Sequence, residues 1–430
     1  MTLLKGNCLD TLKTLPDCSV DSIVTDPPYE LGFMGKSWDN SGIAYSTELW
    51  AECLRVLKPG GHLLAFSGSR TYHRMVVAIE DSGFEIRDQI MWLYGSGFPK
   101  SLNVAKSIES KITTGSAAKN GFHKLEGERT GDGRIGMYDT VEEQGFRKVN
   151  PDQLGGFTLD ATTPEAQQWQ GWGTALKPAH EPIVVARKPL IGTVANNVLT
   201  YGTGALNIDG SRVGTNRPPT SAQPFTALRA MEGRTDLQKP TPDERTDVGR
   251  WPANVIHDGS DEVLAGFPDT GKSTGGRIGK KSMGDVTNVP AGQYEAGDPG
   301  YGDSGSAARF FYCAKASKSE RNAGLEGLEE KAVGALNMRT DAHSVKNGMD
   351  TKPAQNFHPT VKPLALMRYL VKLVTPPNGT VLDPFLGSGS TAVAAILEGF
   401  EWIGCEMTED YFSIIEARVE WALNQPKPMV

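Results

Sequence analysis

The chain has 430 residues, more than the ~100–200 of an ordinary domain, so one large domain with an insertion, or two domains, is expected. Its 44 Lys and Arg against 51 Asp and Glu leave a formal charge of −7, which excludes a uniformly basic surface and confines any nucleic-acid contact to a local patch. The N-terminus has no basic segment leading into an apolar core, no run reaches the ~20 apolar residues of a membrane span, and the five scattered cysteines form no C-x-x-C pair; a soluble, cytoplasmic protein without a disulfide framework or metal site is expected.

In chain order, "VDSIVTD" reads as a strand, "STELWAECLRVLKPG" as a helix, "GHLLAFSG" as a strand, "RTYHRMVVAIEDSG" as a helix and "FEIRDQIMWLYG" as a strand. The helices rest on apolar spacings of three and four with Gly or Pro-Gly stops, the strands on short β-branched or aromatic runs. From about Thr113 to Ser306 the chain is rich in Gly, Pro, Thr and Asn, with short islands such as "EPIVVARKP" and "GRWPANVIHDG"; a loop-rich insertion is expected, with residues 180–190 returning to the sheet. Regular structure resumes with "VKPLALMRYLVKLVTP" (helix), "GTVLDPF" (strand), "STAVAAILEGF" (helix), "EWIGCEM" (strand) and "EDYFSIIEARVEWAL" (helix). Strands alternating with helices predict a doubly wound α/β fold with a mostly parallel sheet, split as 1–113, insertion 114–306, and 307–430.

Two segments carry chemistry. "TDPPYE" puts Asp26, Pro27, Pro28 and Tyr29 directly after a strand, at the carboxyl end where open α/β sheets bind ligands. In "VLDPFLGSGSTAVAA" another strand ends at Asp383 and turns through Pro384, Phe385, Gly387, Ser388 and Gly389 into a helix; glycines there permit a sharp turn and close approach of a ligand to bare helix N–H groups. Glu406, at the end of the next strand, sits where an acid can accept from a ribose diol. The turn has neither the third glycine of G-x-G-x-x-G nor a following Gly-Lys-Ser/Thr, and Asp383 would repel a pyrophosphate, so a cofactor with a cationic or amine-bearing end suits it better.

Together with "HPTVKPLALMRYLV" just before the glycine turn, these motifs resemble the S-adenosylmethionine-dependent amino-methylating DNA methyltransferases, and their order, catalytic motif first, resembles the β group. The resemblance implies a Rossmann-like methyltransferase fold with circularly permuted motifs, and a central insertion that reads the DNA target. It assigns Asp26 and the Pro27 carbonyl to the substrate amine and Tyr29 to base stacking. It gives Asp383, Phe385, Gly387, Gly389 and Glu406 to the cofactor, with Thr360 and Lys362 near its methionine carboxylate and His358 beside them. It also places Asn7 and Cys8, in "KGNCLD", against the cofactor adenine.

The reaction it implies is methylation of adenine N6 in double-stranded DNA after base flipping, since aspartate opens the catalytic motif. Cytosine N4 methylation is the alternative, and a non-catalytic DNA-binding regulator a more distant one. Trp92 is a candidate for the wall opposite Tyr29. Lys100, Arg309, Lys315, Lys318 and Arg321, the last four in the aromatic-interleaved "ARFFYCAKASKSER", are candidates for phosphate contacts. A nucleoid-associated enzyme of bacterial or phage type, forming a homodimer, completes what the resemblance implies.

Overall fold

The computed structural model describes residues 1–31, 39, 41–97, 101–115, 160–214, 249–271, 304–314, 318–332 and 353–426. Among these, two compact units separate: one of the described residues of 1–95, 180–334 and 353–430, the other of the described residues of 96–179. The larger unit resumes at His180, inside the 114–306 segment, where the strand His180–Arg187 enters the main sheet.

In the larger unit nine strands form one sheet: β1 (Thr2–Lys5), β2 (Val20–Thr25), β3 (Leu57–Phe66), β4 (Glu85–Leu93), β5 (His180–Arg187), β6 (Val255–His257), β7 (Tyr312–Cys313), β8 (Thr380–Asp383) and β9 (Glu401–Glu406). Their spatial order is β1-β9-β8-β2-β3-β5-β4-β6-β7. Every pairing is parallel except those of β5, which runs antiparallel to β3 (Leu64↔Val185) and to β4 (Gln89↔Val184). The start of β5 thus lies at the same edge of the sheet as the carboxyl ends of its antiparallel neighbours β3 and β4. β2 and β8 are adjacent (Leu382↔Ile23), which brings the ends of the two motif-bearing strands side by side.

The helices follow the apolar spacing. α1 (Cys8–Leu12) is capped by Asn7, whose side chain accepts from Leu9 N at 2.9 Å. α2 (Thr47–Val56), capped by Ser46, buries Leu49, Trp50, Cys53 and Val56; α3 (Tyr72–Asp81) buries Met75, Ala78 and Ile79. With Leu12, Ile23, Leu63, Leu382 and Cys405 these side chains make one apolar core against the sheet. In the C-terminal part, α6 (Leu364–Val374), α7 (Ser390–Glu398) and α8 (Glu409–Leu423) follow a short α5 (Val194–Tyr201) and α4 (Val104–Thr114) in chain order.

One boundary differs from the sequence reading. "LKPGG" reads as a Pro-Gly helix stop, yet β3 begins at Leu57 and runs through it. Gly60 has φ +79, and a Cβ there would lie 2.4 Å from the Asn197 amide of α5. That amide donates to the Pro59 carbonyl at 2.8 Å and the Thr203 hydroxyl donates to it as well, so this carbonyl is satisfied by side chains from outside the sheet.

The smaller unit pairs α4 with the short helix Pro164–Gln167. Buried Glu109 organises it, accepting from the backbone N–H and hydroxyl of both Thr162 and Thr163 at 2.6–3.1 Å. Among the described residues no helix is long and apolar enough to cross a membrane.

Candidate active site

β2 is buried along its whole length, and the chain leaves the sheet at Asp26, where two prolines lacking N–H groups end the ladder. Pro27 is buried, while Pro28 and Tyr29 are half-buried. The Tyr29 ring packs against Gly68, just beyond β3; a Cβ at Gly68 would lie 3.3 Å from Tyr29 Cδ2, tight enough to displace the ring.

Four polar side chains from three segments converge here. Lys362 Nζ donates to Asp26 Oδ2 at 2.7 Å and to the Tyr29 hydroxyl at 3.1 Å, and lies 3.4 Å from Glu181 Oε2. The Tyr29 hydroxyl donates to Glu181 Oε2 at 2.8 Å. Lys362 also stands 5.2 Å from the Tyr29 ring centroid and 5.0 Å from that of Phe66, so its cation is held by aromatic faces as well as by carboxylates.

The electrostatics follow from one cation shared by two acids. Burial raises the Asp26 carboxyl above its ordinary value; Lys362 pulls it down and Glu181 pushes it up again. For Lys362 burial favours the neutral amine, but Asp26 and Glu181 outweigh it and the ammonium is held above its ordinary range. The Tyr29 hydroxyl is pushed well up by burial, then by the Asp26 and Glu181 charges, so it remains a donor. Asp26 Oδ1 is buried and has no hydrogen-bond partner among the described residues. A buried acceptor left in that condition costs about 1–3 kcal/mol, which a donor brought by a substrate would recover.

The glycine turn lies beside this cluster at the end of β8. Gly387 (φ +55) and Gly389 (φ +80) occupy the left-handed region, and a Cβ on Gly387 would stand 2.8 Å from His358 Nε2. Leu386 N–H donates to the Cys405 carbonyl and Gly387 N–H to Glu406 Oε2, both at 2.9 Å, tying the turn to β9. Behind it, buried Arg418 of α8 donates to the Ser388 carbonyl at 2.6 Å and to the Ser388 and Ser390 hydroxyls at 3.0 and 3.2 Å. Pro384 is buried, and Phe385 packs on the main core.

Several expected cofactor residues turn out to be engaged internally. Asp383 is 2% exposed and accepts from the Thr25 and Thr391 hydroxyls at 2.6 Å each and from Phe385 N–H at 3.0 Å. Burial pushes its carboxyl up to about 6, the three hydrogen bonds offsetting part of the rise. It clamps the catalytic strand to the glycine turn and is not presented to a ligand. Cys8 is a core residue whose thiol burial pushes up to about 11. Asn7 spends its side-chain carbonyl on the α1 cap. Glu406 accepts from Thr408 N–H at 2.7 Å and Gly387 N–H, one bond on each oxygen, so each retains a second lone pair for a diol.

The "HPTVKP" segment arches over the turn. His358 packs edge-on to Tyr411 at 4.7 Å, and burial, reinforced by Lys362, Arg321 and Arg418, brings its imidazole down to about 3, so it is neutral. Thr360 is exposed. Lys362, expected at a methionine carboxylate, sits instead on Asp26.

Of the candidates for DNA contact, Lys100 and Lys315 lie outside the described residues, and Lys318 opens the short helix Lys318–Asn322. Arg309 donates to the Gly305 and Ser306 carbonyls and stacks on Phe310 at 4.5 Å. Arg321 donates to the carbonyls of Asn356 and His358 at 3.3 and 2.8 Å, bracing the "HPTVKP" segment. Both guanidiniums thus have structural partners within the chain. Trp92 lies in β4 directly across from Glu181, on the same face, with Tyr94 5.3 Å away; its indole N–H is buried without a partner among the described residues.

Glu181 was not among the residues the sequence singled out, nor were Thr25 and Arg418. The only local signal for Glu181 is an acid beside a proline at the mouth of a buried strand.

A family model described as DNA methylase, N6_N4_Mtase, matches residues 20–417. Similar relatives include the type II methyltransferase M.HpaI of Haemophilus parainfluenzae, 36% identical over 105 residues (23% of this chain and 33% of that protein). Others are M.HinfI of Haemophilus influenzae, 32% identical over 110 residues (21% and 31%), and the putative methylase YubD of Escherichia coli K12, 52% identical over 54 residues (13% and 24%). The matched region thus spans a third or less of these relatives. Among solved structures the cytosine-N4-specific PvuII DNA methyltransferase overlaps at a TM-score of 0.40 with 12% identity, covering 100% of this chain and 87% of that one, a likeness too low to argue from. With the family model covering all but the two ends, the chain belongs to the DNA methylase family of N6 and N4 amino-methyltransferases.

Proposed function

We propose that this chain transfers a methyl group from S-adenosylmethionine to the N6 amine of adenine in double-stranded DNA, with the target base turned out of the helix. The observation that carries this reading is the buried, unpartnered Asp26 Oδ1 at the end of β2, next to the glycine turn that ends β8. An exocyclic amine is a poor nucleophile because its lone pair is delocalised into the ring. Acceptors for both of its N–H groups redirect that pair, and Asp26 Oδ1 with the Pro27 carbonyl are the acceptors available at this point. Proline at position 27 fixes φ and offers no competing N–H.

The residues around the glycine turn fit an adenosyl cofactor: Glu406 for the ribose hydroxyls, the left-handed, side-chain-free turn at Gly387 and Gly389, and neutral His358 against Gly387. Bound there, S-adenosylmethionine supplies an activated methyl group on a sulfonium. The protein's part is then positioning and electrostatic preorganisation. Tyr29, its hydroxyl anchored, presents a ring on which a flipped base can stack, and the few kcal/mol of unstacking are offset by that contact.

The same acceptor pair would serve cytosine N4; adenine is preferred because aspartate, and not serine, opens the motif. Nucleoside mass spectrometry of unmethylated DNA treated with the protein and S-adenosylmethionine tests the choice. N6-methyladenine is expected, and N4-methylcytosine alone would reverse it.

A further inference from the structure

We infer that Glu181, at the start of the antiparallel strand β5, is a positioning residue for methyl transfer: it anchors the Tyr29 hydroxyl and shares the Lys362 ammonium, leaving Asp26 Oδ1 as the open acceptor. The inference rests on the reading of the site as an amino-methyltransferase centre.

Hydrogen-bond capacity makes the case. An ammonium has three donors, and Lys362 directs them at three groups: Asp26 Oδ2 at 2.7 Å, the Tyr29 hydroxyl at 3.1 Å and Glu181 Oε2 at 3.4 Å. The Tyr29 hydroxyl accepts from Lys362 and donates to Glu181 at 2.8 Å, so both of its roles are filled. The donors of Lys362 and Tyr29 are thereby directed elsewhere, while Asp26 Oδ1 is buried without a partner among the described residues. Without Glu181, Tyr29 would lose its acceptor; its hydroxyl could rotate toward Asp26 and take the oxygen meant for the substrate, and the stacking ring would lose its anchor.

The charge of Glu181 has a second consequence. It faces Asp26 together with Lys362 and Tyr29, with Tyr94 and Asp383 also within electrostatic reach of the cluster, and it raises the Asp26 carboxyl. Removing that charge lets Asp26 ionise at lower pH, a change that mere loosening of the fold does not produce.

The test is single-turnover transfer of labelled methyl from S-adenosylmethionine to unmethylated DNA by the full chain, the E181Q and E181D variants, across pH. In E181Q the rate at saturating cofactor falls by about tenfold to a hundredfold, as expected for a misplaced reacting group, and the acid limb of its pH profile moves to lower pH. Cofactor affinity stays within about threefold of wild type, since no bond from Glu181 reaches the glycine turn, and E181D recovers part of the rate. A wild-type rate with an unshifted acid limb in E181Q overturns the inference while leaving the methyltransferase reading intact. Failure of the wild type itself to transfer methyl overturns both.

Discussion

Lys362 Nζ stands 2.7 Å from Asp26 Oδ2, a contact between residues 336 positions apart that joins the segment before α6 to the end of β2. The ammonium is 9% exposed and is the cation for two half-buried carboxylates, Asp26 and Glu181. It therefore favours the charged form of the Asp26 carboxyl against burial, which raises it, and fixes the direction of Oδ2.

Lys362→Ala leaves two neighbouring carboxylates without their cation. Removing one partner of a buried ion pair costs about 3–5 kcal/mol; the partial exposure of Asp26 places the expectation at the lower end. Urea unfolding at pH 7 should show that loss, and it should shrink at pH 5 as the Asp26 carboxyl, raised by burial and no longer pulled down by the lysine, takes up a proton. A loss independent of pH would mean the lysine serves packing alone.

Gly387→Ala meets both a left-handed backbone and His358 Nε2 at 2.8 Å, whereas Gly389→Ala has no neighbour closer than 3.5 Å. The first should cost more than the roughly 1–2 kcal/mol of left-handed strain expected for the second, and it should weaken S-adenosylmethionine binding by at least about tenfold through displacement of the imidazole. Calorimetric titration of the two variants, compared with their melting, checks the order; equal effects would remove His358 from contact with the turn.

Asp383 predicts a pH dependence of stability. Its carboxyl is raised from 3.8 to about 6 in the folded chain, so the folded state binds the proton more tightly than the unfolded one. The corresponding stabilisation is fully present below about pH 4 and lost as pH rises through about 6, on the order of 3 kcal/mol in all. Asp383→Asn keeps an acceptor for Thr25 and removes the titration, so its stability relative to wild type should improve between pH 4 and pH 7. A flat difference over that range would contradict the assignment.

Glu406→Gln retains an acceptor for one backbone N–H but places an amide where the carboxylate receives Gly387 or Thr408. Cofactor affinity should fall by about tenfold or more, with little change in transfer at saturating cofactor, because the residue addresses binding and not the amine. An unchanged dissociation constant would take Glu406 out of the ribose role.

The site was partly legible in the sequence for a physical reason. β2 and β8 are buried parallel strands, so each is a short run rich in β-branched residues (Val20, Ile23, Val24 and Thr25; Thr380 and Val381), and each runs into an Asp-Pro that halts the ladder; motif and strand end coincide. β1 was not legible, because "TLLK" is a short, half-exposed segment whose identity comes from pairing with β9. Glu181 has its two partners 152 and 181 positions away, and a lone acid carries no local trace of them. Arg309 and Arg321 mislead in the opposite sense: a cation among aromatics reads as a phosphate contact, yet these two hold backbone carbonyls, a partner type that charge in a sequence does not reveal.

The central claim is that Asp26 accepts from the amine that receives the methyl group. It is tested most directly by comparing wild type with Asp26→Ala, measuring labelled methyl transfer to unmethylated DNA alongside equilibrium binding of S-adenosylmethionine. The account predicts N6-methyladenine from wild type, loss of transfer by about a hundredfold or more in the variant, and cofactor affinity within a few-fold of wild type. Near wild-type transfer by Asp26→Ala would contradict it.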